Sequence, residues 1–318
     1  VNSYYGKYYL DNYSNYFIKE IIWFSLGFVI FYLLSVININ FILDNSLYAY
    51  LVGIMLLIVT LLFGVNVNGS RSWIKIFGIS FQASEFMKIG LILYLRYITI
   101  NYDLNDFKYV LVCLIITLIP SVLVFLEPDT GPIISYIVIL ITFLFLKKLN
   151  KWYYIFGVSI TLVIIISFIY LYSFDNDLFI DIFGTNFFYR MDRITNFIKR
   201  VYFPEAVTDF AITLLIANFG LVGFIIYMII FLIFIINLGK ISKDKYIVKP
   251  CVNFIVIQCI INILMNIGLF PIIGITYPLL SYGGSSSLSI IILLSIIYNM
   301  GNKDYSYSHH NNYNHMKV

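Results

Sequence analysis

Polar and ionisable residues gather in four short segments of a chain that otherwise carries few of them. The segments span residues 68–88, 127–132, 203–210 and 274–287, and charged residues make up only 11% of the 318 positions. Keeping ionisable side chains in apolar surroundings is energetically costly, so the places where they persist are candidates for function. Catalysis or binding is therefore expected in these four segments.

The segment FPEAVTDF at 203–210 contains the carboxylates of Glu205 and Asp209. Thr208 is predicted to cap a helix, which places Asp209 in the first turn, where the helix dipole favours a negative charge. This chemistry of a helix start accounts for the pattern by itself. Cationic residues nevertheless precede the segment, at Arg190, Arg193, Lys199 and Arg200. A carboxylate beside cations at the mouth of a helical bundle is in a setting that favours catalytic work, so Asp209 is a candidate catalytic residue.

The segment at 68–88 combines a possible membrane-surface anchor with a polar helix face. Gln82, Glu85 and Lys88 recur every three residues, so Glu85 and Lys88 share one face of the helix that follows. These residues could contact a substrate. Alternatively, Glu85 and Lys88 could form an ion pair that only holds the bundle together. Arg71 and Trp73 are likewise either substrate contacts or anchors at headgroup depth, where Trp is favoured.

The other two segments are turns with different chemical potential. EPDTGP at 127–132 is predicted to be a rigid turn between helices, which explains its Pro, Asp and Gly residues. In GITYPLLSYGGSSS at 274–287, Ser281, Gly283 and Gly284 precede the last helix, whose first N–H groups could hold an anion. Amide side chains at a spacing of four predict hydrogen bonds between helices, rather than a transport path, at Gln258, Asn262 and Asn266.

The elements that position these residues are predicted to be membrane helices. The chain is 61% hydrophobic, with a mean hydropathy of +0.92, which excludes a soluble domain. A membrane helix needs about 20 apolar residues. Such segments lie at 18–37, 48–63, 84–100, 107–126, 132–146, 152–172, 209–238, 247–267 and 285–300. We expect an all-α, polytopic transmembrane helical bundle of about nine helices, forming one membrane domain over residues 1–318.

The distribution of lysines predicts which side of the membrane each loop occupies. Lysine groups at 147–151 and 240–249 favour the cytoplasmic face for those loops. The long loop 173–208 then lies outside, and the tail 302–318 is cytoplasmic. The net charge of +4 is spread along the chain, so no nucleic-acid partner is expected. The three cysteines lie in apolar stretches and are predicted to be packing residues.

Six strings occur in a fixed order between residues 68 and 287: NGSRSWIKIFGISFQASEFMK, EPDTG, YRMDRITNF, PEAVTDF, NFGLVG, and NIG followed by FPIIGITYPLLSYGGSS. Together they resemble the SEDS family of bacterial membrane proteins, named for shape, elongation, division and sporulation, which includes FtsW, RodA and SpoVE. The resemblance implies a glycosyltransferase of the bacterial cell membrane that polymerises lipid II into peptidoglycan strands during division or elongation. It implies a class B penicillin-binding protein as partner. Compared with the family pattern, the first helix is expected to be absent and the exterior loop is shorter.

The resemblance also implies roles for individual residues. Asp209 corresponds to the essential aspartate of the PE-x-x-TDF motif. Residues expected to contact the substrate are Arg71, Trp73, Gln82, Glu85, Lys88, Arg190, Arg193, Lys199, Arg200, Glu205, Ser281, Gly283 and Gly284. In the implied reaction a sugar hydroxyl attacks an anomeric carbon and undecaprenyl pyrophosphate leaves, which requires a base and positive charge. The charge would come from basic residues or from a divalent cation, Mg²⁺ or Mn²⁺, without a dedicated protein metal site.

Two other functions fit the same sequence. A lipid II flippase would need a polar path through several helices, whereas the ionisable residues here concentrate near one surface. A catalytically degenerate scaffold of the division or elongation complex would fit the shortened exterior loop.

Overall fold

The computed structural model describes residues 14–67, 70–76, 79–153, 155, 208–267, 269–270 and 273–302. Its helices are α1 (Ser14–Val36), α2 (Ile39–Asp44), α3 (Ser46–Phe63), α4 (Ala83–Asn101), α5 (Asp106–Leu126), α6 (Gly131–Lys147), α7 (Ala211–Ile241), α8 (Lys245–Asn266) and α9 (Gly284–Asn302). A small sheet is formed by β1 (Val65–Val67), β2 (Ser70–Ile76) and β3 (Ile79–Gln82). The predicted all-α membrane fold is confirmed.

Six of the described helices are long and apolar enough to cross a membrane: α1, α3, α5, α7, α8 and α9. Helix α6 is apolar but shorter. Each of these helices coincides with a predicted segment to within a few residues. The predicted segment 152–172 falls almost entirely outside the described residues. The number of nine membrane helices therefore stays a prediction.

Helix α4 is the central helix of the bundle. It is buried over most of its length, and it packs against α3, α5, α6, α8 and α9. Close packing with α3 depends on small residues, because a Cβ atom at Gly90 would lie only 2.8 Å from the carbonyl oxygen of Ala49. The ionisable side chains of α4 are thereby enclosed by protein rather than by lipid.

The sheet at 65–82 was not predicted. Its order is β1-β2-β3 with antiparallel pairs, and Trp73 of β2 lies opposite Gln82 of β3. The sheet joins the end of α3 to the start of α4. Its middle strand is fixed to the α5–α6 turn, since the backbone N–H of Arg71 donates to the carbonyl oxygen of Glu127 at 3.1 Å. Short strands satisfy the backbone hydrogen bonds of this connection at the end of the bundle.

Helix α7 differs from the prediction in two ways. The predicted continuous segment 209–238 is interrupted at Gly220, where φ is +67° and ψ is −176°, a backbone conformation that is essentially restricted to glycine. Residues before Gly220 are partly buried, and many after it are exposed on the outside of the bundle. A straight helix of this length would extend about 46 Å, well beyond a hydrocarbon layer of about 30 Å.

The start of α7 is the second difference. The structure places a turn at 208–210, Phe210 at the N-cap and Ala211 as the first helical residue. The prediction of Thr208 as the N-cap with Asp209 in the first turn is therefore wrong. Asp209 precedes the helix, and contacts from another helix, described below, take over the function of a local cap.

We define the site end of the bundle as the end that contains the starts of α4, α6, α7 and α9 and the ends of α3, α5 and α8. The opposite end is fixed by a buried ion pair, in which Arg96 Nε of α4 lies 2.7 Å from Asp244 Oδ2 at the N-cap of α8. The three cysteines are buried and form no disulfide, as expected of packing residues: Cys113, Cys251 and Cys259.

Candidate functional site

Glu85 and Lys88 form a buried ion pair at the site end. Lys88 Nζ lies 2.7 Å from Glu85 Oε2, and their side chains are 1% and 7% exposed respectively. The hydroxyl of Ser289 on α9 donates to the same carboxylate oxygen at 3.3 Å, and Lys88 lies over the ring of Phe254 on α8. The predicted shared helix face is confirmed. The pair faces two neighbouring helices, so it connects α4 to both.

Gln82 links three parts of the site end. Its side-chain Nε2 donates to Asp129 Oδ2 at 2.7 Å, and its backbone N–H donates to Ser285 Oγ at 3.0 Å. The junction of β3 and α4 is thereby attached to the α5–α6 turn and to the start of α9. Gln82 was predicted as a substrate contact, and the structure places it in this internal network.

Glu127 is an unusual buried acid that the sequence interpretation assigned to turn chemistry. Its side chain is 0% exposed, and neither carboxylate oxygen has a hydrogen-bond partner within the described part of the chain. Burial, together with the charge of nearby Asp129, raises the pKa of Glu127 from 4.5 to about 8. Its backbone carbonyl is held by Ser70 Oγ at 3.0 Å and by the N–H of Arg71. In this environment the carboxyl group of Glu127 is mostly neutral at pH 7.

Asp209 lies at the site end and is only 6% exposed. Its backbone carbonyl oxygen accepts hydrogen bonds from Asn262 Nδ2 at 2.9 Å and from Asn266 Nδ2 at 3.1 Å. Of the three amides predicted to join helices, Asn262 and Asn266 do so here, whereas Gln258 Oε1 is buried without a hydrogen-bond partner within the described ranges. The sequence pattern indicated that these amides bridge helices, but the pattern could not identify Asp209 as their partner.

The turn before α9 uses its hydroxyl groups internally. Ser281 Oγ accepts from the backbone N–H of Tyr277 at 2.8 Å, and Ser286 Oγ lies 3.1 Å from Thr276 Oγ1. Gly284 is covered by α1, because a Cβ atom there would overlap the indole ring of Trp23. The predicted anion contacts at Ser281, Gly283 and Gly284 thus belong to a turn that is already heavily packed.

A single segment, residues 273–277, connects the Asp129 side of the site to Asp209. The segment approaches Gly131 closely, because a Cβ atom at Gly131 would lie 2.9 Å from the carbonyl oxygen of Ile273. Two residues later, the carbonyl oxygen of Ile275 accepts from Asn262 Nδ2 at 2.7 Å. The same amide contacts Asp209, so both halves of the site end lie against one stretch of backbone.

Of the remaining predicted site residues, two lie within the described part of the chain and five lie outside it. Arg71 is exposed on β2, and Trp73 is half-buried beside it. Five predicted residues lie outside the described residues, and their placement toward Asp209 stays a prediction: Arg190, Arg193, Lys199, Arg200 and Glu205. Across the described ranges, no group of three or more His, Cys, Asp or Glu side chains is arranged to hold a metal ion.

A family model described as "Cell cycle protein", covering FtsW, RodA and SpoVE, matches residues 1–201 and 194–306. The chain belongs to the FtsW/RodA/SpoVE family. Its relatives include proteins named "Probable peptidoglycan glycosyltransferase FtsW". The one from Coxiella burnetii is 31% identical, over 89% of this chain and 85% of the relative. The one from Buchnera aphidicola is also 31% identical, over 90% and 85% respectively.

Solved structures of this family share the fold. A chain from a study of the structural coordination of polymerization and crosslinking by a peptidoglycan synthase complex matches with a TM-score of 0.78 and 20% identity, covering 92% of this chain and 90% of that chain. The rod shape determining protein RodA of Thermus thermophilus matches with a TM-score of 0.68 and 19% identity, covering 90% and 87%. This FtsW/RodA/SpoVE-family chain is a multi-pass protein of the bacterial inner membrane.

Proposed function

We propose that this protein is a peptidoglycan glycosyltransferase that polymerises lipid II into glycan strands. The observation that carries the proposal is its 31% identity, across most of both chains, to relatives named peptidoglycan glycosyltransferase FtsW. The site end is compatible with such chemistry, because it combines a carboxylate at the start of α7 with a buried network that fixes the surrounding helices.

Asp209 is the proposed general base. It would accept the proton of the acceptor sugar hydroxyl while that oxygen forms a bond to the anomeric carbon of the donor. The bond from the anomeric carbon to the pyrophosphate oxygen breaks, and undecaprenyl pyrophosphate leaves with the electron pair. The proposed partners for its negative charge are the loop cations Arg190, Arg193, Lys199 and Arg200, together with exposed Arg71. Glu205 is a proposed substrate contact in the same loop.

Three polar residues at the β3–α4 junction and in the first turns of α4 have a supporting role in this proposal. Glu85 and Lys88 neutralise each other, and Gln82 is hydrogen-bonded on both its side chain and its backbone. Groups committed to such contacts fix the helices around the reaction rather than supply free charge. Any contact of these three residues or of Trp73 with lipid II would be additional to these ion-pair and hydrogen-bond contacts.

A divalent cation, Mg²⁺ or Mn²⁺, is a further part of the proposal. Mg²⁺ is commonly held by one or two carboxylates and the phosphates of the substrate. Among the described residues no group of three or more His, Cys, Asp or Glu side chains could hold the cation, so the pyrophosphate of the substrate would have to supply most of its ligands. When bound, the cation would supply positive charge for the leaving pyrophosphate.

The proposed partner is a class B penicillin-binding protein, which would crosslink the strands that this protein makes. A structural neighbour comes from a peptidoglycan synthase complex in which polymerization and crosslinking are coordinated. The complex would act during cell division or cell elongation.

The test is polymerisation of lipid II by the purified protein, with and without the partner, in detergent. Wild-type protein should produce glycan polymer, and Asp209→Asn should produce none although it folds and inserts. The matched control is Asp103→Asn. Asp103 is exposed in the loop between α4 and α5, at the opposite end of the bundle, and the variant should keep full activity. Polymerisation by Asp209→Asn would overturn the assignment of the base.

The same preparation distinguishes the two other functions. Sided vesicles with labelled lipid II would report translocation without polymer if the protein were a flippase. Absence of both signals, with the partner still co-purifying, would indicate a scaffold.

A further inference from the structure

Two asparagines on α8 contact three positions of the backbone at the site end. We call Asn262 and Asn266 the amide pair. They contact Asp209 before α7, Thr213 in its first turn, and Ile275 in the segment that follows α8. Asn262 is 0% exposed, so its hydrogen bonds are shielded from water. One face of α8 therefore sets the relative positions of the backbone around Asp209.

Asn266 provides the cap that α7 lacks locally. The N-cap residue Phe210 has no side-chain acceptor for the N–H groups of the first turn. Asn266 Oδ1 takes over this function, because it accepts from the backbone N–H of Thr213 at 3.1 Å and from Thr213 Oγ1 at 2.7 Å. A residue 53 positions away in the chain thus defines where α7 begins.

The donor atoms of the amide pair contact Asp209, and Asn266 Nδ2 also reaches the carbonyl oxygen of Asn262 at 2.8 Å. Both Nδ2 atoms donate to the carbonyl oxygen of Asp209, at 2.9 Å from Asn262 and 3.1 Å from Asn266. The two amides are joined to each other, since Asn266 Nδ2 lies 3.0 Å from Asn262 Oδ1. Asn262 Nδ2 also reaches the carbonyl oxygen of Ile275 at 2.7 Å. The backbone of Asp209 is thereby held by two interconnected donors.

We propose that Asn262 and Asn266 are positioning residues for Asp209. They fix the backbone from which its carboxylate extends, and so fix the direction in which the base meets the acceptor hydroxyl. The inference rests on the proposed function of Asp209. A shift of about 1 Å in a reacting group can lower the rate by about 100-fold even when the substrate still binds. Loss of the amide pair should therefore lower kcat and leave KM nearly unchanged.

The sharpest variant is Asn266→Asp. It keeps an oxygen that can accept from Thr213, so α7 retains its cap, but it removes the amide donor to Asp209. Asn262→Ala removes the other donor without adding a charge. Asn262→Gln keeps an amide and should therefore retain more activity than Asn262→Ala. The matched control is Asn253→Asp on the same helix, where the amide donates to Thr142 Oγ1 at 3.0 Å, away from the site end.

Lipid II polymerisation by the full chain with its partner gives kcat and KM, and hydrogen exchange reports on residues 208–214. We expect a 10- to 100-fold loss of kcat with KM within about twofold, faster exchange at 208–214, and normal values for Asn253→Asp. Folded Asn266→Asp and Asn262→Ala proteins with wild-type kcat would overturn the inference. Failure of both variants to fold would also overturn it, since the pair would then serve stability alone.

The Asp209→Asn variant distinguishes this inference from the proposed function. If Asp209→Asn is inactive and the amide-pair variants are fully active, only the positioning role is wrong. If Asp209→Asn polymerises lipid II, the proposed base is wrong, whatever the amide-pair variants do.

Discussion

The enclosed side chain of Glu127 links protonation to the stability of the site end. Its carboxyl group is fully buried next to Asp129, and its pKa is raised to about 8. A neutral acid is the form that such an environment tolerates, because an ionised carboxylate without partners loses its hydration. At neutral pH most folded molecules therefore carry a proton on Glu127.

This protonation predicts that the protein becomes less stable as the pH rises. Glu127 has a folded pKa near 8 and an ordinary value of 4.5. Its contribution to stability is therefore fully present below about pH 4.5 and is lost as the pH rises to about 8, and the total loss is about 5 kcal/mol. Glu127→Gln should remove this loss and raise the thermal midpoint at pH 8 to 9. Melting curves in detergent between pH 5 and 9 measure the difference, and equal pH slopes for both proteins would contradict it.

The ion pair of Glu85 and Lys88 predicts a non-additive pair of substitutions. Lys88→Met leaves a buried carboxylate without its cation and should destabilise the protein by about 3–5 kcal/mol. Adding Glu85→Gln removes the orphaned charge and should recover much of that loss. Thermal unfolding of the two single variants and the double variant measures the coupling. Lys75→Met, at an exposed position of β2, is the control, and additive effects at 85 and 88 would argue against the pair.

Sequence reasoning identified some site residues and not others for physical reasons. The spacing of Glu85 and Lys88 is a local property of a helix, so their pairing could be predicted. Glu127 could not be singled out, because turn residues look the same whether their side chains are buried or solvated. The contact of Asn262 with Asp209 joins residues 53 positions apart, and such a distance carries no periodic signal.

Among the helices, α7 depends on the unusual backbone of Gly220. A Cβ atom at Gly220 or at Gly239 would meet nothing within 4 Å, so the two positions differ in backbone conformation rather than in packing. Of these two glycines, only Gly220 has a positive φ. Hydropathy averages over many residues, and a break at one glycine is therefore invisible in the sequence profile that predicted 209–238 as one segment.

This contrast predicts opposite effects of the same substitution. Gly220→Ala forces a side chain into the strained region and should destabilise the protein by about 1–3 kcal/mol. Gly239→Ala, in regular helix, should be neutral or stabilising by about 0.5–1 kcal/mol. Thermal unfolding of the two variants measures both effects. Equal effects of the two substitutions would indicate that the break is not fixed by Gly220.

For the assembled bundle, the site end is predicted to face the exterior and the Arg96–Asp244 end the cytoplasm. The native cysteines are buried, so single reporter cysteines can be added without removing them. Lys75→Cys on β2 should react with an impermeant maleimide in intact cells. Asp103→Cys, in the exposed α4–α5 loop, should react only after the membrane is permeabilised. The reverse pattern would invert the orientation.

The polar character of the central helix has a consequence for how the chain is made. With Glu85, Lys88 and Arg96 in its sequence, α4 is a poor candidate to leave the translocon alone, since a Lys or Arg near the centre of a membrane helix costs about 2.5–3.5 kcal/mol on insertion. Two of its partners are synthesised much later: Asp244 follows Arg96 by 148 residues, and Ser289 follows Glu85 by 204. We therefore expect α4 to stay packed against α3 while the ribosome synthesises the second half of the chain. Insertion should then be sensitive to the α3–α4 contact at Gly90.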